Sequence, residues 1–207
     1  MTAINVVFDK NQLILSMDTL VSRSFSRVPM KFTTKILLLP HLNSVICGTG
    51  NLDLLHDWYI YIQRKLISRD VEYFSDVATE CLIELNEKHP KEATSTIFHF
   101  GYSEAESVFK GYLFKSEENF EKRDIPYGTL LKPHADFDVY QEYEENGNLQ
   151  QTFIRLMELQ KTNDDRLETG WAGIGGEIQL LFMKKDSIKL DTVHRFEDYE
   201  SHFTKSI

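Results

Sequence analysis

Residues 35–53 read KILLLPHLNSVICGTGNLD, and this stretch decides the fold class. It holds two short apolar runs, 36–39 and 44–47, on either side of a turn that contains Pro40. Neighbouring residues in 36–39 are all apolar, which predicts a strand buried on two faces. Gly48, Thr49 and Gly50 then lead to Asn51, a residue type that caps helix amino termini. The stretch therefore predicts a hairpin followed directly by a helix.

Strands precede this stretch and helices follow it. Apolar runs over 4–8 and 13–17, separated by a Lys10-Asn11 turn, predict two more strands of a sheet buried on both faces. Apolar residues then recur at helical spacing over 55–66 and over 71–85, where His89-Pro90 ends the second pattern. Each predicted helix has one apolar stripe, so each covers one face of a sheet.

The rest of the chain returns to strands. We predict strands over 96–101 and 108–114, a helix that begins after Asn148, and closing strands over 177–183 and 188–193. Residues 115–148 are charged, contain Pro126 and Pro133, and give no firm pattern; the run at Tyr140 predicts a solvated helix end or a loop. This order predicts one α+β domain over residues 1–207, with helices covering two stacked sheets.

The charge balance excludes several partners. The 207-residue chain has 23 Lys and Arg against 32 Asp and Glu, a net charge of -9, and its basic residues are scattered. Without a basic stripe to neutralise phosphates, nucleic acid and anionic membranes are poor partner predictions. The apolar stretches are only strand-length, and the first residues lack a signal-peptide pattern. We therefore expect a cytoplasmic protein with no membrane partner.

The cysteines, histidines and glycines give no cofactor pattern. Cys47 and Cys81 fall in a predicted strand and a predicted helix, as reduced core thiols do. The histidines show no metal-ligand spacing, and a zinc site needs three or four convergent ligands. The glycine turn at 48–50 lacks the lysine and serine or threonine of a phosphate loop. No metal and no cofactor are predicted.

Thr2 is the first candidate for catalysis. It opens the first predicted strand and directly follows Met1. Removal of Met1 makes this threonine the amino terminus, with a nucleophilic hydroxyl and an amine base on one residue. The α-amine has an ordinary pKa of roughly 7.7 to 8, so near neutral pH a useful fraction is free to accept the hydroxyl proton. The prediction requires that Met1 be absent from the mature protein.

Three other places strengthen this prediction. Asp18 closes the second strand sixteen residues after Thr2, so a tight hairpin brings its carboxylate to the start of the first strand. Lys35 opens the third strand, where an ammonium beside the amine and hydroxyl depresses their pKa values. The glycine turn at 48–50 precedes a helix, where backbone N–H groups can face a developing oxyanion.

With these positions the chain resembles the proteasome β-type family of N-terminal-nucleophile (Ntn) hydrolases, as a divergent bacterial-type member. Thr2, Asp18 and Lys35 match the family's first threonine, the aspartate that ends its second strand and the lysine that starts its third. Residues 35–53 are similar to the family's third strand through the start of its first helix, and 175–190 to its last long hairpin. The resemblance implies a four-layer αββα sandwich of two stacked, mostly antiparallel sheets.

The resemblance also implies an activity, a threonine-type hydrolase that cleaves amide or peptide bonds without a cofactor. Thr2 attacks, Lys35 lowers the local pKa and Asp18 positions Lys35. The oxyanion binds to an amide of Gly48, Thr49 or Gly50. The implied partners are further copies of the chain in a homo-oligomer, a peptide or small amide substrate, and an ATP-dependent unfoldase such as the one that works with the simpler bacterial ring peptidase.

Two departures from the family keep other functions open. Active members carry an aspartate and a serine before the glycine of the last hairpin, where both orient the terminal amine, and here these positions are Ala172 and Gly175. The family's serine-containing glycine loop has no counterpart either, and the nearest candidate is Gly128, Thr129 and Leu130. A catalytically inactive structural or regulatory subunit is therefore the alternative. A small-molecule amidohydrolase on the same fold is a third reading.

Overall fold

The computed structural model describes residues 2–22, 28–90 and 93–203. The strands, in chain order, are β1 (Ile4–Phe8), β2 (Gln12–Asp18), β3 (Leu20–Ser22), β4 (Pro29–Phe32), β5 (Ile36–Leu39), β6 (Ser44–Gly50), β7 (Ser95–Ser103), β8 (Val108–Lys115), β9 (Arg123–Asp124), β10 (Gly128–Lys132), β11 (Glu177–Lys184) and β12 (Ser187–Arg195). The α-helices are α1 (Leu52–Lys65), α2 (Val71–Asp76), α3 (Ala78–Asn86), α4 (Val139–Asn146), α5 (Leu149–Asp165) and α6 (Tyr199–Phe203).

These strands form three antiparallel sheets. The first sheet has the order β10-β1-β2-β11-β12, the second has the order β5-β6-β7-β8-β9, and β3 pairs with β4 alone. The adjacent apolar residues of the first strand predicted burial on both faces, and Ile4, Asn5 and Val6 are each fully buried. The strands predicted at the start of the chain are therefore confirmed, with small extensions of β2 and β6.

The apolar core lies on both faces of each five-stranded sheet. One cluster combines side chains of the two sheets, among them Val6 and Leu15 with Val45 and Phe98. A second joins the other face of the second sheet to α1, α2 and α3, and a third joins the other face of the first sheet to α4 and α5. No helix in the described ranges is both long and apolar enough to cross a membrane.

The single helix predicted over 71–85 is two helices. α2 ends at Asp76 and α3 begins at Ala78, with Val77 between them at ψ -3°. Just before the break Ser75 is fully buried, and its hydroxyl oxygen lies 2.8 Å from Nδ1 of His99. Both helices pack on the same apolar cluster. The apolar spacing therefore continues through the break, so the sequence pattern predicts one helix instead of two.

The glycine loop suggested at Gly128, Thr129 and Leu130 is a strand. These residues belong to β10, which pairs with β1 from Lys132 opposite Ile4 to Gly128 opposite Phe8. Gly128 therefore lies at the end of β1 that is remote from Thr2, and this prediction is wrong. The end of β10 that does reach the start of β1 is Lys132.

The run at Tyr140 belongs to α4, a helix of eight residues. Asp138 caps it, because its carboxylate accepts hydrogen bonds from the backbone N–H groups of Tyr140 and Gln141. Gly147 ends the helix in the left-handed conformation. Most of its side chains are exposed, and only Val139 is buried. The helix therefore lacks the apolar stripe on which a helix prediction depends.

Candidate active site

The structure brings together the three side chains predicted to form a nucleophile site. The β1–β2 hairpin places Asp18 beside the start of the first strand, where its Oδ1 accepts a hydrogen bond from the backbone N–H of Ala3 at 2.9 Å. Lys35 Nζ donates to Thr2 Oγ1 at 2.5 Å and to Asp18 Oδ2 at 3.0 Å. All three residues are buried, with exposed fractions of 5% or less.

The ammonium of Lys35 uses three donors in three directions. Besides Thr2 and Asp18, it contacts the backbone carbonyl of Leu20, with Nζ and oxygen 2.6 Å apart. Burial lowers the pKa of Lys35, and the nearby Asp18 carboxylate acts in the opposite direction without cancelling the effect. An ammonium that donates to Thr2 Oγ1 stabilises negative charge as it develops on that oxygen.

Asp18 joins three segments of the chain through one carboxylate. Its Oδ2 is 3.4 Å from the backbone nitrogen of Gly175, which donates from the loop before β11. With the bonds to Ala3 and Lys35, the carboxylate therefore links the start of β1, the residue before β5 and that loop. Removing one partner of a buried ion pair costs about 3 to 5 kcal/mol. The Asp18 carboxylate therefore holds these three segments together.

The three residues predicted to bind an oxyanion point their amides in different directions. Alternate N–H groups of an antiparallel strand face the same neighbour. Asn51 N donates to Thr94 O on the β7 side at 3.2 Å, and Gly50 pairs with Ser95 in the same ladder. The N–H of Thr49 therefore faces β7, whereas those of Gly48 and Gly50 face the opposite side, toward Lys35. The Thr49 amide is not directed at the site, which leaves the amides of Gly48 and Gly50 as the two candidates in the lining of this region.

Gly50 also turns the chain from strand to helix. Its φ of +96° is one that side chains rarely adopt, and a Cβ at this position would lie 2.0 Å from the backbone oxygen of Thr94. Asn51 then caps α1, because its side-chain oxygen accepts from the N–H groups of Asp53 and Leu54. A residue other than glycine does not fit at this point without a shift of the backbone.

These groups share one opening, which we call the recess. Its empty volume is about 400 Å³, and it is lined by Thr2, Lys35, Leu55 and the segments 20–22 and 48–52. The Thr2 hydroxyl and the amide edge at 48–50 thus face the same space. A carbonyl group that enters the recess can meet a nucleophile and a hydrogen-bond donor together, which is the arrangement that acyl transfer needs.

The buried cysteine Cys47 is poorly placed to act as a nucleophile. Cys47 is fully buried, and burial raises the pKa of its thiol well above the ordinary range, so the reactive thiolate is disfavoured. Both cysteines are free thiols, and Cys81 is partly buried, in line with the predicted reduced state. In the described part of the chain, no three His, Cys, Asp or Glu side chains could hold a metal ion together.

The fold of this chain has a counterpart among solved structures. It is similar to that of the Anbu (Gly-1) mutant from Hyphomicrobium sp. strain MC1, with a TM-score of 0.64 over 100% of this chain and 92% of that chain. Anbu has a proteasome-like Ntn-hydrolase fold. The chain has a proteasome-like fold. Sequence identity to Anbu is 10%, so the likeness shows the fold alone. No family model matches the chain, and no curated protein matches its sequence.

The proteasome-like fold confirms the prediction in its general form, and the loop before β11 shows where the chain departs from the resemblance. At the positions where the resembled family has an aspartate and a serine, the N–H of Ala172 donates to Asp164 and the N–H of Gly175 donates to Asp18. A Cβ at Gly175 would lie 2.9 Å from Cδ2 of Leu20, so a serine requires Leu20 to move. Packing of β3 against this loop therefore accounts for the glycine.

Asp164, near the end of α5, holds this loop and was not identified from the sequence. Its carboxylate accepts hydrogen bonds from the backbone N–H groups of Ala172 at 2.5 Å, Gly173 at 2.8 Å and Ile174 at 3.4 Å. The side chain is buried, with 3% exposed. A carboxylate with several amide donors is a strong local anchor. Asp164 thus fixes the loop that delivers the Gly175 amide to Asp18.

Replacement of Asp164 by alanine is expected to lower the free energy of unfolding by about 2 to 4 kcal/mol, because three buried amides lose a charged acceptor. Asp165→Ala is the matched control: Asp165 is adjacent but half exposed, and it pairs with Lys161 at 3.0 Å. Exposed pairs of this kind contribute about 0 to 1 kcal/mol. Urea denaturation of both variants measures the difference, and equal midpoints would contradict the role given to Asp164.

Lys132 is the second residue that sequence analysis missed. It ends β10, and its Nζ donates to Oγ1 of Thr49 at 2.9 Å, beside the recess. The residue lies in the charged region 115–148, where no element could be predicted firmly. Its proximity to Thr49 depends on the register of β10 against β1, and no spacing in the sequence reports that register.

Proposed function

We propose that this protein is a proteasome-like N-terminal threonine hydrolase that cleaves amide or peptide bonds. The observation that carries the proposal is the contact of Lys35 Nζ with Thr2 Oγ1 at 2.5 Å, inside a recess that the Gly50 amide edge also lines. A buried ammonium on the hydroxyl, with Asp18 behind the ammonium, is suited to stabilise an attacking alkoxide. A threonine that merely begins a strand does not require this arrangement.

The proposed reaction begins once Met1 has been removed. Met1 lies outside the described residues, and its removal is part of the proposal. The α-amine of Thr2 accepts the hydroxyl proton while Oγ1 bonds to the substrate carbonyl carbon. The N–H of Gly48 or Gly50 stabilises the charge on the carbonyl oxygen. The amine then passes the proton to the leaving nitrogen, the C–N bond breaks, and water hydrolyses the resulting ester on Thr2, restoring the hydroxyl.

The finer fold description and the assembly belong to the same proposal. We assign the chain a four-layer αββα sandwich, supported by the apolar cluster between the two five-stranded sheets and by helices on their other faces. We also propose a homo-oligomer. Ile60 of α1 and Ile83 of α3 are 44% and 41% exposed, which is consistent with a further copy packing on these helices. An ATP-dependent unfoldase and a cytoplasmic location stay predictions.

A non-catalytic structural or regulatory subunit is the second candidate. The observation that favours it is the loop before β11, where the positions that orient the terminal amine in the resembled family contribute only backbone groups. In this reading Asp18 and Lys35 are kept because the loss of either leaves the other buried without its partner. A small-molecule amidohydrolase differs from a peptidase in assembly, since a closed ring favours peptide substrates.

One experiment separates the first two candidates. Intact mass of the protein purified from its own host reports whether Met1 is present, and an electrophile selective for amino-terminal threonine reports whether Thr2 reacts. We expect a mass without Met1 and a single adduct on Thr2, and no adduct on a Thr2→Ala variant. Complete retention of Met1 in the host would overturn the hydrolase proposal and leave the non-catalytic subunit.

A further inference from the structure

Lys132 places a second cation beside the recess. Its Nζ lies 2.9 Å from Thr49 Oγ1, and Thr49 lines the recess together with Thr2. In the pairing of β10 with β1, Lys132 stands opposite Ile4, two residues from Thr2. The side chain is half-buried. The ammonium of Lys132 is therefore bonded to a residue that lines the recess, although Lys132 itself is not part of that lining, and it takes no part in the hydrogen bonds of Thr2.

Lys132 differs from the other shielded lysines because it has no acidic partner within ion-pair distance among the residues that the structure describes. Among the described residues, every other buried or half-buried lysine has a carboxylate oxygen within 4.0 Å, as seen for Lys35, Lys110, Lys115, Lys122 and Lys161. Lys132 makes no such ion pair with any described residue. Withdrawing an ammonium from water without a counter-charge is costly, so an arriving anion gains both the pairing and the relief of that cost.

The surroundings of Lys132 support the same reading. Burial and the nearby Lys115 lower its pKa, and Glu117 acts more weakly in the opposite direction. No carboxylate of the described residues therefore neutralises the ammonium of Lys132 within 4.0 Å. A carboxylate on a substrate is the simplest group that could form an ion pair with the Lys132 ammonium.

The strand end that carries Lys132 is fixed in place. The next residue, Pro133, accepts a hydrogen bond through its carbonyl from Gln160 Nε2 at 2.6 Å. Gln160 and Asn5 also exchange two side-chain hydrogen bonds, at 2.7 and 2.8 Å, and both residues are buried. The amide pair ties the end of β10 to β1 and α5. Lys132 is therefore presented by a preorganised segment, as a specificity-determining residue should be.

We propose that Lys132 binds a carboxylate on the substrate residue next to the scissile bond, so that the site prefers glutamate or aspartate there. The proposal rests on the hydrolase function proposed above and names its substrate class. The ammonium already donates to Thr49 Oγ1 and has two further donors for the incoming carboxylate. An uncharged amide at the same place, as in glutamine, has the same shape and lacks the charge.

The test compares peptide substrates that differ only by glutamate or glutamine, placed on the acyl side or the amine side of the cleaved bond. We expect wild type to prefer glutamate by about ten- to hundredfold in kcat/KM on one of these sides. Lys132→Met should bring that ratio close to one, and Lys132→Glu should reverse it in favour of a lysine substrate. Lys122→Met is the matched control, because Lys122 is half-buried but paired with Asp76 at 2.5 Å.

A binding measurement separates this inference from the proposed function. Calorimetry on the Thr2→Ala variant compares the Kd of the glutamate and glutamine peptides without turnover. A preference for glutamate that Lys132→Met removes supports the inference even if wild type cleaves nothing, and absence of cleavage then counts against the hydrolase alone. Equal affinities for the two peptides, or a preference that survives Lys132→Met in folded protein, would overturn the inference.

Discussion

Replacement of Lys35 by methionine is expected to lower kcat/KM for amide hydrolysis by about 100- to 1000-fold, the effect of removing one donor from a developing negative charge. In the folded protein this ammonium donates to Thr2 Oγ1 and is held by Asp18 and by the carbonyl of Leu20. Methionine has a similar length but no donor. Steady-state cleavage of a fluorogenic peptide amide measures the loss.

Lys35→Met should also lower the stability of the protein, so stability has to be measured together with turnover. Lys35→Met leaves the Asp18 carboxylate buried without its cation, which lowers stability by about 3 to 5 kcal/mol. Urea denaturation shows whether the variant is folded at the assay temperature. Lys110→Met is the control, because Lys110 is half-buried and paired with Glu72 at 2.8 Å but does not line the recess. A folded Lys35→Met protein with wild-type turnover would refute the role of the ammonium.

Stability is expected to fall by about 2 kcal/mol between pH 7 and pH 5 because of His99 alone. Its Nε2 accepts from the indole N–H of Trp58 at 2.9 Å. An indole N–H can only donate, so Nε2 carries no hydrogen, and Nδ1–H faces the hydroxyl of Ser75 at 2.8 Å. Burial, with a smaller effect from Lys122, lowers the pKa of His99 from 6.5 to about 3. The folded protein therefore keeps this imidazole neutral.

The sign follows from proton binding. Between pH 6.5 and about 3 the unfolded chain protonates this histidine and the folded protein does not, so acid favours unfolding. At about 1.4 kcal/mol per pKa unit the contribution is complete above pH 6.5 and is lost toward pH 3, by roughly 5 kcal/mol in all. Urea denaturation at pH 7 and pH 5 should show a smaller pH dependence for His99→Gln than for wild type.

Carboxylates also titrate in this range, so the comparison needs a matched histidine. His41 is exposed and lies outside the apolar clusters. His41→Gln should keep the pH dependence of wild type, because no buried imidazole is removed. If His99→Gln and wild type lose the same stability on acidification, the buried neutral imidazole is not the cause. The two results together assign the effect to one side chain.

The general fold and the proximity of Thr2, Asp18 and Lys35 could be predicted because they depend largely on local patterns. Adjacent apolar residues indicate strands buried on two faces, and a short hairpin fixes which residues stand at its open end. The proximity of Asp18 to Thr2 follows from that hairpin alone. Lys35, directly before β5, could be predicted from its place at the start of that strand together with the family resemblance. These contacts join residues that are only a few tens of positions apart, so the spacing of the residues in the sequence predicts them.

The remaining features depend on contacts between distant segments. Lys132 reaches Thr49 only because β10 pairs with β1 in one register, and Asp164 reaches Ala172 only because α5 ends beside the loop before β11. The direction of the Gly50 amide depends on the β6–β7 ladder. The residue types in the sequence show which side chains could form such contacts, but not which of them lie next to one another in the folded chain. A structure is needed to choose.

The hydrogen-bonded side-chain amides of Asn5 and Gln160 restrict which substitutions these two positions can accept. Each is both donor and acceptor to the other, so altering one alone leaves polar atoms of the other without partners in an enclosed space. Substitutions at these two positions should therefore occur together during divergence. A linked pair of this kind gives a way to recognise relatives that retain this β1–α5 contact, even where overall sequence identity has fallen to the level seen with Anbu.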